Sequence, residues 1–284
     1  MPSSSPQPTA NAAQIDYWNA VAGETWARFQ EQLDRQIESL GDRALQALDP
    51  REGERLLDIG CGCGQTSVAL ARRVGAGGSV RGVDISKPML DVAQTRPAPA
   101  GAARPVFAQM DAQTGDLGEA MYDAAFSRFG VMFFADPTAA FVNIRRALKP
   151  GGRLAFVCWR PFAENAWMRL PMEAAAPFLP PAVPMDPLAP GPFAFADPER
   201  VRGILADGGW GSVSLDPFDA LIGGGTVDEA LALAFRVGPL GAALRDNPGS
   251  VEAVSDAVRA VLTAHHTPRG VMMPAAVWIV QARA

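Results

Sequence analysis

The chain has 284 residues, 48% of them hydrophobic and 19% charged, with a formal net charge of −5. That length suffices for one large core, or for a core with an attached cap. Positive charge is almost all arginine, scattered rather than clustered, and lysine occurs only as Lys87 and Lys149. This pattern argues against a nucleic-acid partner, whose binders present a basic stripe.

Residues 1–14 lack a basic start followed by an apolar run, so they predict a disordered lead-in and no signal peptide. No stretch approaches the roughly 18 apolar residues of a membrane span. The most apolar segment, 124–135, is broken by Arg128. Three cysteines with no even framework predict a reduced, cytoplasmic protein.

From Ile15 to about Leu48 apolar residues recur at helical spacing, and Asp49-Pro50 ends the segment. Short apolar runs then alternate with amphipathic ones. Strands are predicted over 55–59, 79–84, 106–110 and 122–127, with helices over 65–74 and from Ser86 to near Arg96. Pro137 starts a helix at its first position, running to Leu148 and stopped by Lys149-Pro150-Gly151-Gly152. A strand over 153–159 follows. This alternation predicts a parallel sheet covered on both faces, with ligand-binding loops along one carboxyl edge. Between 160 and 198 prolines cluster among Trp167, Met168, Met172, Phe178, Phe193 and Phe195. A helix over 197–206, a strand over 213–221, helices near 226–246 and 251–264, and a last strand over 275–281 complete the chain. The expected organisation is one α/β domain of residues 15–159 and 197–284, with 160–196 as a lid or substrate cap within it.

Residues 55–64, RLLDIGCGCG, put glycines between a strand and a helix. There the backbone can approach a ligand closely, and the helix N-terminus offers unpaired N–H groups. The dinucleotide fingerprint needs glycines at its first, third and sixth positions. Counting from Gly60 or from Gly62, the sixth position is Gln65 or Ser67, so that pattern fails. Asp58 sits one residue before the strand ends. It either caps the loop or faces an ammonium group, since an anion there would repel phosphate. Asp84 ends the second strand, twenty residues after Gly64, where a carboxylate can accept from a ribose diol. Asp111 ends the third strand, where it can accept from an adenine amino group. Together they describe an adenosine with a cationic amino-acid tail and no phosphate.

The segments LLDIGCGCG, GVDIS with Met89, QMDA, YDAAFSRFGVMFF and LKPGGRLAF together resemble the class I S-adenosylmethionine-dependent methyltransferases over about residues 15–160. The tail AAVWIVQA resembles that family's last strand. The resemblance implies a Rossmann-like, doubly wound, seven-stranded α/β sheet with an antiparallel last strand, N-terminal helices and a lid insertion. It implies S-adenosylmethionine as cofactor and S-adenosylhomocysteine as product, with no metal. By the same resemblance Gly60, Gly62 and Gly64 would hold the methionine part, with Asp58 near its ammonium. Asp84 would bind ribose, Ile85 and Met89 would sandwich adenine, and Asp111 with the Ala112 amide would read its edge. Ser127 would lie beside the methionine moiety, and Trp26 on the N-terminal helix would fold over the cofactor.

Methyl transfer from a sulfonium is an in-line displacement, and positioning alone can supply roughly 7–11 kcal/mol. A small, largely apolar acceptor suits the apolar cap, with Arg128, Phe129 and Trp159 expected on the acceptor side. Arg128 either orients an acidic acceptor or pairs with an acidic neighbour. A neutral acceptor needs a base, and His265 and His266, just before the last strand, are either exposed loop residues or that base. Cys61 and Cys63 are two residues apart, too close for an ordinary structural disulfide, and the four ligands of a usual zinc site are not evident. Two other readings stay open at this point: a nicotinamide-dependent oxidoreductase, disfavoured by the missing glycine, and a noncatalytic cofactor-binding or interaction domain.

Overall fold

The computed structural model describes residues 11–181 and 186–284. The expected lead-in falls, for residues 1–10, outside the described residues, as do positions 182–185 of the expected lid. Three helices come first: α1 (Ala12–Asn19), α2 (Val21–Arg28) and α3 (Gln30–Leu48). The sequence predicts a single helix here, because neither joint carries proline or glycine. The first break has a tertiary cause. The Ser86 hydroxyl donates to the Trp18 carbonyl (2.7 Å), and the Asn19 amide donates to the Ile85 carbonyl (2.8 Å). Asn19 also accepts from the Lys87 amide (2.9 Å). Gly23 allows this close approach: a Cβ there would lie 2.0 Å from the Trp18 carbonyl oxygen. Helix α3 buries Leu33, Ile37, Leu40, Ala44 and Leu45 along one stripe.

The alternating half follows as β1 (Arg55–Ile59), α4 (Gln65–Val74), β2 (Ser79–Asp84), α5 (Lys87–Thr95), β3 (Val106–Gln109), β4 (Tyr122–Arg128), α6 (Pro137–Ala147) and β5 (Leu148–Trp159). Pro137 opens α6, and Asp136 caps it by accepting from the Ala139 amide at 3.0 Å. The remainder is α7 (Ala166–Ala175), α8 (Pro198–Asp207), β6 (Gly211–Gly223), α9 (Val227–Ala234), α10 (Gly238–Asp246), α11 (Val251–Ala264), β7 (His266–Thr267) and β8 (Gly270–Arg283).

The sheet runs β3-β2-β1-β4-β5-β8-β6, with the two-residue β7 paired to β8. Strands β1 to β5 are mutually parallel, and β8 is antiparallel to both β5 and β6. This is the expected Rossmann-like sheet with its antiparallel last strand. Strands β6 and β8 outrun their expected bounds. A proline cannot donate to a ladder, so Pro274 reads as a strand limit, yet it pairs opposite Leu221 and the hairpin continues past it. Pairing of β8 with β5 ends at Trp159 opposite Val277. The seven residues of β8 from Gly270 to Ala276, or ~23 Å of strand, therefore project past the ligand edge.

That projecting arm carries the last helices. Ala175 of α7 packs with Leu231, Leu240, Leu244, Val254, Val258 and Leu262 of α9–α11 in an apolar cluster separate from the main core. Helices that the sequence assigns to the main domain thus share a core with the segment expected as the lid. Asn165 fixes the root of α7. Its fully buried amide donates to the Arg160 (3.0 Å) and Ala276 (3.1 Å) carbonyls and accepts from the Ala276 amide (3.0 Å).

Candidate cofactor and acceptor site

The loops after β1 and β4 meet where the strand order reverses, the crevice in which such sheets bind ligands. Gly60, Gly62 and Gly64 have φ of +62°, +52° and +81°, left-handed values that side chains resist. Gly60 is also pressed on Gly130: an added Cβ would lie 2.7 Å from the Gly130 Cα. Beyond this contact opens a cavity of ≈ 850 Å³, bounded by the strand ends, by α1–α3 and by α7, α10 and the 186–194 segment.

Asp84 lines this cavity. One carboxylate oxygen accepts from the Gly62 amide and the other from the Ser86 amide, each at 2.8 Å. Burial raises its pKa, and the backbone amides pull against that rise. Each oxygen keeps a lone pair for a diol. Met89 lies over Gly62, its Cε being 2.7 Å from where a Gly62 Cβ would stand. Asp111 and Ala112 line the same end with Ile85. Asp111 is held by the Gln113 amide (2.9 Å) and the Thr114 hydroxyl (3.1 Å). Trp26 and Trp18 close it from above. Trp18 meets Trp26 edge-on at 5.9 Å and Phe133 at 5.1 Å. Trp18, Phe133 and the α3 residues Gln30 and Asp34 are lining groups that the sequence reading did not assign.

Three expected cofactor contacts do not line the cavity. Asp58 is fully buried beneath the loop, accepting from the Thr66 (2.7 Å) and Ser67 (2.6 Å) hydroxyls in the first turn of α4. Burial pushes its carboxyl up to about 6 against the pull of those two hydrogen bonds. Both hydroxyls reach the same oxygen, Oδ2, tying Asp58 to the start of α4, while its Oδ1 is buried with no hydrogen-bond partner. Ser127, also fully buried, accepts from the Gly130 amide at 3.2 Å. It holds the turn in which Phe129 has φ +61°, a conformation costing roughly 1–3 kcal/mol in a side-chain-bearing residue. Gly64 faces the Ala93 and Phe107 side chains rather than the cavity.

Arg128 lines the cavity but is not free. It donates to Asp34 (3.1 Å) and to Gln65. Arg96 donates to the same Asp34 (2.5 Å) and to the Cys63 carbonyl. Two guanidinium groups against one carboxylate leave this cluster with one net positive charge beside the N-terminus of α4.

The strained turn aims Phe129 flat against Trp159, with ring centroids 4.1 Å apart and planes 10° apart. Trp167 of α7 continues the wall at 5.1 Å from Trp159. Phe162 and Phe193 meet edge-on at 5.6 Å and line the same chamber. A smaller void of ≈ 80 Å³ adjoins it, sharing Gln36, Trp167 and Met168 as walls. Gln36 Oε1 and Trp167 Nε1 are buried with no hydrogen-bond partner, an arrangement that costs roughly 1–3 kcal/mol per group unless a ligand satisfies it.

The histidines are elsewhere. Neither lines the cavity. His265 ends α11 with its Nδ1 2.9 Å from the Val261 carbonyl, and His266 is exposed in β7. The projecting β6–β8 arm carries them past the strand edge where the sequence places them, so the structure does not support the expected base. Cys61 and Cys63 line the cavity as free thiols, and burial pushes Cys63 up to about 12. Among the described residues no group of three His, Cys, Asp or Glu is placed to hold a metal ion, and no helix is long and apolar enough to cross a membrane.

Comparison with known proteins agrees with this geometry. Residues 57–156 match the methyltransferase domain family. The chain is 32% identical over 165 residues to the aklanonic acid methyltransferase DauC of Streptomyces sp. (strain C5), covering 57% of this chain and 69% of that protein. It is 29% identical over 164 residues to the nocamycin O-methyltransferase of Saccharothrix syringae, covering 57% of this chain and 56% of that one. Its fold is like that of phosphoethanolamine N-methyltransferase 2 of Haemonchus contortus in complex with S-adenosyl-L-methionine. That likeness has a TM-score of 0.59 at 18% identity, over 97% of this chain and 60% of the other. The chain is an enzyme of the class I S-adenosylmethionine-dependent methyltransferase family.

Proposed function

We propose that this enzyme transfers the methyl group of S-adenosylmethionine to an oxygen of a flat, largely apolar small molecule. The observation that carries the reading is the aromatic wall of Phe129, Trp159 and Trp167 set beside the glycine loop in one cavity. Offset stacking on such rings is worth roughly 0.5–1.5 kcal/mol per contact beyond burial. Relatives named for aklanonic acid and for O-methylation of nocamycin fit this reading.

In this assignment Asp84 binds the ribose diol, Met89 and Ile85 hold adenine, and Asp111 with the Ala112 amide reads its edge. Trp18 and Trp26 cover it. Arg128, backed by Arg96 through the Asp34 they share, takes the methionyl carboxylate, which matches the cluster's surplus charge. Asp58 and Ser127 act through the loops they hold. Residues 160–181 and 186–196 with helices α9–α11 form the cap over the acceptor, excluding water from the transfer. A cytoplasmic setting keeps the three buried thiols reduced.

Two measurements test the acceptor side. Trp167→Ala is expected to raise the acceptor KM about tenfold, equivalent to about 1.4 kcal/mol, while S-adenosylmethionine affinity stays within about twofold. Equal weakening of both ligands contradicts the wall's role. Replacing His265 and His266 together with Gln is expected to leave turnover within about twofold of wild type, since a general base typically supplies at least about a hundredfold. A loss of that size reinstates the histidines.

A further inference from the structure

Every titratable group lining the main cavity is committed, protonated or open to water, and of the two that line the adjoining void, Arg35 and Glu229, the carboxylate caps α9 by accepting from the Thr226 amide (2.7 Å). Among the described residues neither histidine nor lysine lines the cavity. The segments 1–10 and 182–185 add no His, Lys, Asp or Glu side chain. Asp34 has a guanidinium on each oxygen. Asp84 has an amide on each and faces the ribose position. Asp111 holds its own turn through Gln113 and Thr114. Asp58 is sealed under the loop, and the Cys61 and Cys63 thiols keep their protons because burial raises both. The remaining groups, Tyr17, Asp186, Arg245 and Asp246, are exposed to water. Open to solvent, none of them is enclosed with the aromatic wall to serve as a positioned base on a buried acceptor oxygen.

We propose that the enzyme takes acceptors whose oxygen is already ionised in water, such as a carboxylic acid, a vinylogous acid or an acidic enol of a hydroxyquinone, and that no side chain removes the proton. The inference rests on the O-methyl transfer proposed above. The proton leaves to bulk water before the acceptor enters. A lone pair of the anionic oxygen then forms the O–C bond, and the C–S bond breaks with its electron pair going to sulfur. Sulfonium and anion become neutral thioether and neutral ether or ester, so the buried charges annihilate in a water-poor chamber. Before transfer, the sulfonium offsets the cost of bringing an anion in. The aromatic wall supplies contact area, and its one unpaired donor, Trp167 Nε1, can give a hydrogen bond but cannot take a proton.

The test is the pH dependence of kcat/KM for three flat probes of decreasing acidity: naphthoic acid, hydroxynaphthoquinone and naphthol. Rates for the two acids are expected to stay flat from mildly acidic to mildly basic pH. The rate for naphthol should rise about tenfold per pH unit until its own ionisation is complete. A midpoint near neutrality shared by all three probes would reveal a protein base and overturn this inference while leaving methyl transfer intact. S-adenosylmethionine binding without methylation of any probe overturns the acceptor class, and this inference with it.

Discussion

Asp84→Ala is expected to weaken S-adenosylmethionine binding at least about a hundredfold. Its two carboxylate oxygens are anchored by the Gly62 and Ser86 amides, so the lone pairs left over are fixed in direction before any ligand arrives. Two charge-assisted hydrogen bonds to a diol are worth about 1.5–3 kcal/mol each, and every 1.4 kcal/mol is about tenfold in affinity. Removing the carboxylate also frees the Gly62 amide inside the loop that faces the methionine part. The effect therefore spans both ends of the cofactor. Calorimetry with S-adenosylmethionine reads it, and the thermal midpoint of the ligand-free protein separates lost binding from lost fold. An affinity within tenfold of wild type in a folded variant contradicts the ribose role.

Gly60→Ala is expected to cost about 2–4 kcal/mol of stability and to remove cofactor binding. Part of that cost is the left-handed backbone, roughly 1–2 kcal/mol for a residue with a Cβ. The rest is contact: the new Cβ would lie 2.7 Å from the Gly130 Cα, and both partners are backbone, which cannot swing aside. Gly53→Ala isolates the first part, because Gly53 has φ +81° with nothing within 4 Å of its would-be Cβ. Denaturant unfolding of the two variants gives the difference. If Gly60→Ala is no worse than Gly53→Ala, the two loops are not locked together as described. If it is worse, the turn that aims Phe129 at Trp159 is braced by the glycine loop through the Gly60–Gly130 contact.

Strands β1 and β2 and helix α4 fall on the residues the sequence predicts, because each boundary carries a local signal. A strand-end aspartate or a glycine turn marks the limits. Asp84 and Asp111 reach the cavity from the loops at the ends of β2 and β3, and Met89 reaches it from the first turn of α5. What a buried side chain turns toward was not legible in the sequence. Asp58 is captured by Thr66 and Ser67, hydroxyls that stand next to the glycine loop in sequence and offer the one visible hint. Arg128 is captured by Asp34, ninety-four residues away, a pairing no local pattern encodes. Asp34 borders the apolar stripe of α3 beside Leu33, and a charged residue there is the signal that was available.

The break between α1 and α2 and the reach of the β6–β8 arm share a cause. Contacts across the fold overrode local preference, the Ser86 and Asn19 hydrogen bonds in the first case and pairing across Pro274 in the second. The histidines follow from the arm. A shorter hairpin would have left them at the carboxyl edge, and the extra strand length moves them beyond it. The same extension lets α9–α11 share a core with α7, so that Trp167 is held against Trp159 from a separately packed layer.

Methyl transfer is read directly from its two products. Purified protein is incubated with S-adenosylmethionine and hydroxynaphthoquinone, and product is quantified by chromatography with mass detection. S-adenosylhomocysteine and the O-methylated quinone are expected in equal amounts, with turnover that stops when the acceptor is omitted. Tight binding of S-adenosylmethionine with no methylated product from hydroxynaphthoquinone, naphthoic acid or naphthol would contradict the proposed O-methyl transfer.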